Sequence, residues 1–228
     1  MIVAGMVKSS LVDYPGLVSC VLFLPFCNFD CYYCHNRSLI DGSFTELDLD
    51  SVYQFLEKRK NLLDAVVISG GEPTLQPDLF SHLEKVKSLG YKIKLDTNGS
   101  SPSIIQSMLN KNLCDYVAVD YKAPKAKYES ICGNDAEPGN VLETINILVK
   151  NACSFEVRTT VIPELSKEDL ICMAKELPFV PKYVLNRYRK PENFRLEETK
   201  RIEKSPYTKE QLDNFISAIK PFQPNVIA

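Results

Sequence analysis

The feature that most limits the fold is a repeated switch of hydrophobic period. Six short apolar runs, at residues 19–24, 65–69, 92–97, 116–120, 155–161 and 182–186, read as buried strands. Helix-patterned segments alternate with them. Asp48 or Asp50 can cap a helix running to about residue 60, with Val52, Phe55 and Leu56 on one face. Residues 78–89 carry Leu79, Leu83 and Val86 on one side and stop at Gly90. Ser101 caps a helix that has Pro102 at its first position. Residues 141–150 are helical, and capping boxes at Ser166 and Thr208 open helices to about residues 177 and 220. Residues 38–47 and 189–207 read as loop, and Asp13-Tyr14-Pro15-Gly16 as a turn. Such alternation means right-handed βαβ units around a parallel sheet, open or barrel-like. In either form ligands bind at the carboxyl ends of the strands.

Distinctive polar residues fall at those ends. Side chains alternate along a strand. Asp96 and Asn98 therefore oppose Ile93 and Leu95, while Ala118, Asp120 and Lys122 oppose Val117 and Val119. Arg158 opposes Val157. The simplest assignment points Asp96, Asp120, Lys122, Arg158 and Asn186 into the interior. Buried charges are costly unless paired, so this set suggests a charged ligand or, alternatively, pairing of Lys122 and Arg158 with Asp96 and Asp120. Gly70-Gly71-Glu72 closes the second run; two glycines permit close backbone approach or positive φ, and Glu72 can accept from an ammonium group.

The stretch after the first strand, Cys27-Asn28-Phe29-Asp30-Cys31-Tyr32-Tyr33-Cys34-His35-Asn36, holds three of the eight cysteines within eight positions. The next cysteine, Cys114, is 80 positions on. Thiols this close read as a metal or iron–sulfur site. Four-iron clusters ordinarily take four thiolates; three leave one iron open, where a metal site does its chemistry. A Cys3His zinc site closed by His35 competes, but the adjacent Cys34 and His35 are poorly spaced to reach one ion. Three inert, packed cysteines fit least with Asn28, Asp30, His35, Asn36 and Arg37 around them. Cys20, Cys114, Cys132, Cys153 and Cys172 are isolated and read mostly as small core residues.

The 228 residues suit one α/β domain, with residues 189–228 as a C-terminal loop and helix extension. A hydrophobic content of 45% and a charged content of 25% disfavour disorder. A net charge of −2 gives no reason to expect nucleic acid. The start of the chain lacks a basic signal region, and the apolar run at 18–26 is too short to span a bilayer, so no membrane association and a cytoplasmic, reducing location are expected. Clustered cysteines there serve metals more often than disulfides.

Together these residues resemble the radical S-adenosylmethionine (SAM) enzymes: a Cys-x3-Cys-x-aromatic-Cys loop after the first strand, Gly-Gly-Glu after the second, and polar strand ends beyond. Tyr33-Cys34-His35-Asn36, Ser69-Gly70-Gly71-Glu72-Pro73, Leu95-Asp96-Thr97-Asn98-Gly99, Val119-Asp120-Tyr121-Lys122 and Val157-Arg158 are similar to the glycyl-radical-enzyme activases within that family. Ser10-Leu11-Val12-Asp13-Tyr14-Pro15-Gly16 is most similar to the activating proteins of anaerobic ribonucleoside-triphosphate reductase. The resemblance covers roughly residues 1–190.

The resemblance implies a partial (β/α)6 TIM-like barrel. Cys27, Cys31 and Cys34 would hold a [4Fe–4S] cluster whose fourth iron binds SAM. Gly70, Gly71 and Glu72 would meet the methionine amino group, Lys122 and Arg158 its carboxylate or sulfonium region, Asn98 the ribose, and backbone beside Tyr33 and His35 the adenine. Asp96, Thr97, the Ala118 carbonyl and Asp120 would form a monovalent-cation site. Reductive cleavage of SAM, with an electron from a donor such as flavodoxin or ferredoxin, would yield a 5′-deoxyadenosyl radical that takes hydrogen from a glycine of a partner enzyme. Asp13, Tyr14 and Gly16 would border the partner's approach. Arg189 stands where a related activase has histidine, so its role is open. Other readings are activation of a different glycyl radical enzyme, radical chemistry on a small molecule, or a non-catalytic zinc or iron–sulfur interaction module.

Overall fold

The computed structural model describes residues 1–151 and 153–228. Its strands are β1 (Gly5–Ser10), β2 (Ser19–Leu24), β3 (Ala65–Gly70), β4 (Lys92–Thr97), β5 (Tyr116–Asp120), β6 (Ser154–Val161), β7 (Tyr183–Arg187) and β8 (Val226–Ile227). Its helices are α1 (Arg37–Ile40), α2 (Leu49–Lys58), α3 (Leu79–Ser88), α4 (Pro102–Asn110), α5 (Tyr128–Cys132), α6 (Pro138–Lys150), α7 (Lys167–Glu176), α8 (Thr199–Ile202) and α9 (Lys209–Ile219). The strands follow chain order in the sheet. This is the α/β, partial-barrel order expected from the alternation. Among the described residues no helix is long and apolar enough to cross a membrane.

The chain forms two compact units. The first comprises Met1–Asn28, Asn36–Thr97 and Ser103–Ala118. Here β2 pairs with β3 in parallel, Ser19 opposite Ala65 and Leu24 opposite Gly70, and β3 pairs with β4 in parallel. Val21, Leu22, Val66, Val67 and Ile68 are all buried, so consecutive residues on both faces lie in apolar surroundings, as central parallel strands require. The Asp48 carboxylate accepts from the Ser51 N–H at 2.9 Å and caps α2. That helix buries Val52, Tyr53 and Leu56; Phe55, expected on this face, is only partly covered.

The second unit comprises Phe29–His35, Asn98–Pro102 and Val119–Ala228. Here β6 pairs with β7, and β7 with β8, all parallel. Both expected capping boxes are present, Ser166 with Asp169 and Thr208 with Gln211. Helix α6 starts at Pro138 rather than at 141, because a proline at the first position sacrifices no helical N–H bond.

Five short elements escaped the sequence pattern, among them α5, a single five-residue turn of helix. β1 is antiparallel to β2 and three of its six residues are exposed, so its alternation is too shallow to read. β8 has two residues and exists through its pairing with β7. α1 lies mostly within the presumed 38–47 loop, and α8 with the single turn Leu196–Glu198 lies within the presumed 189–207 loop.

Candidate active site

In the first unit, the end of β3 is built against the end of β2. Gly70 takes φ +118°, and a side chain on Gly71 would place its Cβ 1.9 Å from the Phe26 carbonyl oxygen. The Gly71 N–H donates to Leu24 O at 2.8 Å and the Glu72 N–H to Phe26 O at 2.7 Å. Both glycines are therefore required by backbone packing at the root of the cysteine loop, whether or not a ligand also approaches. Phe26, which precedes Cys27, itself holds φ +69°, a strained value for a bulky residue that must be imposed by its surroundings.

Glu72 is fully buried, and one carboxylate oxygen accepts from the Thr74 N–H (3.1 Å), the Thr74 hydroxyl (2.7 Å) and the Thr97 hydroxyl (2.8 Å). Sequence reasoning offered this carboxylate to a ligand ammonium. In the structure this one oxygen caps the turn Pro73–Leu75 and ties that turn to the end of β4, a framework role carried by Oε1. Asp96 accepts from the Lys94 ammonium at 2.6 Å and the Ser69 hydroxyl at 3.2 Å. Tyr14 is a core residue, packed with Val21, Ala65 and Val67, which is a different setting from the partner-facing border expected of it. The Ser10 hydroxyl accepts from the Val12 and Asp13 N–H groups and donates to the Asp13 carboxylate. This fixes a turn that presents Leu11 and Val12 to solvent.

In the second unit, Asp120 accepts from Arg158 Nε and from the Lys122 ammonium, each at 3.0 Å. Burial opposes its ionisation, but the two cations outweigh burial and hold the carboxyl down at about 2. Lys122 and Arg158 both pair with Asp120, as the pairing alternative expected of one of its two carboxylates, and Lys94 adds a partner for Asp96. This removes the electrostatic reason for a monovalent cation, since neither carboxylate lacks a neighbouring positive side chain. Ala118, the proposed carbonyl donor, is buried in the first unit. Asn98 is buried, and its carboxamide oxygen accepts from the Ser100 N–H at 2.9 Å. Asn186, expected inside, is exposed and lines with Tyr188, Arg189 and Pro206 a cavity of about 500 Å³.

Cys31 is buried, and its thiol is pushed well up, first by a hydrogen bond with the Cys132 thiol and then by burial. Metal binding at Cys31 must therefore displace a proton. Cys132, which the sequence suggested was only a core residue, is a neighbour of this thiol. Nothing local marks it; the chain brings it there from 101 positions away. The hydroxyls of Tyr32, Tyr33 and Tyr128 are buried without a hydrogen-bond partner among the described residues. An orphaned hydroxyl costs roughly 1–3 kcal/mol; that of Tyr33 lies within electrostatic reach of Cys31, Cys132 and Lys122, while that of Tyr128 lies close to the Lys122 backbone N–H. Such a setting fits a bound group that carries acceptors, as the sulfurs of a cluster do. Cys34 is half-buried and His35 is exposed. Among the described residues no three His, Cys, Asp or Glu side chains gather tightly enough to hold a single ion. A four-iron cluster needs no such gathering, because its thiolates sit on separate irons; the cysteine trio is carried by its spacing.

The chain is 33% identical to a provisionally named glycyl-radical enzyme activating enzyme of Methanocaldococcus jannaschii, over 99% of this chain and 95% of that one. It is 31% identical to a 7-carboxy-7-deazaguanine synthase of Neisseria meningitidis, over 58% of each. Among solved structures, Streptococcus suis SuiB bound to S-adenosylmethionine superposes with a TM-score of 0.65 at 14% identity, covering 89% of this chain. The likeness to SuiB is one of fold, and the chain spans 48% of that protein's length. The family model of the radical SAM superfamily matches residues 21–177. The chain belongs to the radical SAM superfamily.

Proposed function

We propose that the chain is a glycyl-radical-enzyme activase whose partner is an anaerobic ribonucleoside-triphosphate reductase. The observation that carries the activase reading is the near full-length match to the Methanocaldococcus jannaschii relative, while the choice of reductase rests on the resemblance of the Ser10–Gly16 string. Cys27, Cys31 and Cys34 hold the cluster. Bound there, a [4Fe–4S] cluster and SAM supply the one-electron reductive cleavage that gives a 5′-deoxyadenosyl radical. Lys122 and Arg158 orient the methionine end of SAM. Backbone at Gly70 and Gly71 meets its amino group, Asn98 the ribose, and backbone beside Tyr33 and His35 the adenine. Glu72 holds the Gly-Gly turn in shape through one carboxylate oxygen and meets the methionine amino group with the other. The orphaned Tyr33 hydroxyl and the fixed Lys122–Asp120–Arg158 set support a bound polar cofactor. A small one-electron donor, flavodoxin or ferredoxin, completes the cycle.

Anaerobic reconstitution with iron, sulfide, SAM, reductant and a candidate reductase tests the proposal. The expected result is labile sulfide, deoxyadenosine and a glycyl-radical EPR signal, all lost in Cys31→Ala. Zinc without labile sulfide would sink the cluster assignment. Deoxyadenosine without a glycyl radical would favour chemistry on a small molecule, the reading that the 7-carboxy-7-deazaguanine synthase relative supports.

A further inference from the structure

The segment after β7, which looked like a polar surface loop, grips the cysteine loop at two points. The Arg195 guanidinium donates to both Asp30 carboxylate oxygens, at 2.7 and 3.0 Å. Asp30 is the residue immediately before Cys31. Arg201 lies over the ring of Tyr32, 3.7 Å from its centroid, and Tyr32 is the residue immediately after Cys31. Arg201 is itself held in plane. It donates to both oxygens of Glu164 at 3.1 and 2.9 Å, to Glu198 at 3.1 Å, and to the Ser130 carbonyl at 3.0 Å. With its edge donors engaged, its face remains for the tyrosine ring. The segment closes on itself where the Tyr188 hydroxyl donates to the Ile202 carbonyl at 3.1 Å. Beneath the loop, the Asp30 N–H donates to the Cys132 carbonyl at 2.7 Å.

We propose that residues 195–201 form a clasp in which Arg195 on Asp30 and Arg201 on Tyr32 hold the chain on both sides of Cys31, so that this thiol is positioned before a cofactor arrives. Arg195 and Arg201 are positioning residues. That Cys31 ligates a cluster rests on the function proposed above; that the clasp shapes the loop does not. A flexible loop would have to order all its thiols at once on binding, and a preformed one has already lost that freedom. Release of the clasp would free the loop for loading or repair of the site.

The test is anaerobic alkylation of the metal-free full-length protein with iodoacetamide, mapped cysteine by cysteine by mass spectrometry. Cys31 is buried, so its reaction requires local opening. Arg195→Ala is expected to raise the Cys31 rate by about two- to fivefold, as loss of one exposed bidentate ion pair from a local opening predicts, and Arg201→Ala, which also loses the ring contact, by about five- to tenfold. Cys20 and Cys114, buried in the other unit, keep their rates. The paired exchange Asp30→Arg with Arg195→Asp restores protection. Unchanged Cys31 rates, or an equal rise at Cys20 and Cys114, would overturn the clasp. In a second arm, the reconstituted variants lose iron to a chelator faster than the parent chain. A parent chain that takes up no iron and sulfide would refute the proposed function, while the thiol rates still decide the clasp.

Discussion

Replacing Gly71 by alanine tests whether the two glycines after β3 are structural. The new Cβ would lie 1.9 Å from Phe26 O and 2.6 Å from Phe26 C, whereas contacts below 3.0 Å essentially never occur. Both atoms are backbone, so relief requires the chain to move by roughly an ångström, the gap between 1.9 and 3.0 Å. That movement pulls apart the Glu72 N–H to Phe26 O bond of 2.7 Å or the Gly71 N–H to Leu24 O bond of 2.8 Å. A buried amide without its acceptor costs roughly 1–3 kcal/mol, and overpacking adds roughly 1–3 kcal/mol. The expected loss is about 2–6 kcal/mol, a large share of the roughly 5–15 kcal/mol that holds a typical domain. Urea unfolding followed by far-ultraviolet circular dichroism should show it as a lower midpoint. Gly139→Ala is the control, because nothing lies within 4 Å of its Cβ; it should shift stability by no more than about 1 kcal/mol. A Gly71→Ala protein within about 1 kcal/mol of the parent would refute the packing argument at this position.

Thr97→Val removes one of the donors to Glu72 and should cost about 1–2 kcal/mol in urea unfolding, with SAM affinity reduced through the displaced Gly-Gly turn; unchanged values in both would show that Glu72 needs no such support. The clasp should also be sensitive to acid. The hydrogen bond from Arg201 holds the Glu164 carboxyl below its ordinary value of 4.5, against the opposing effect of burial. A carboxyl lowered on folding contributes its stability above that ordinary value and loses it as pH falls further. Melting temperature should therefore drop between about pH 5 and pH 3 by less in Arg201→Ala than in the parent, the difference being worth up to about 1 kcal/mol; an identical drop would contradict the pairing.

Much of the molecule is legible in local pattern. Both faces of β2 and β3 are buried, so their apolar runs announced them, and the capping boxes at Ser166 and Thr208 satisfy helix ends with side chains only three residues apart. Phe55 was read as a core residue because it shares Val52's stripe, but Tyr53 covers that face more fully. β1 and β8 carry too little buried surface to leave a period.

By itself the sequence determined the alternation of strands and helices, the helix caps and the Cys-x3-Cys-x2-Cys spacing. Each depends on residues a few positions apart, within reach of the chain's own geometry. Tertiary structure alone decided that Lys122 and Arg158 share Asp120, that one Glu72 oxygen takes Thr74 and Thr97, that Cys132 lies against Cys31, and that Arg195 grips Asp30 from 165 residues away. Such partners are chosen by which segments pack together, and a side chain's type carries no mark of the distant residue that will satisfy it.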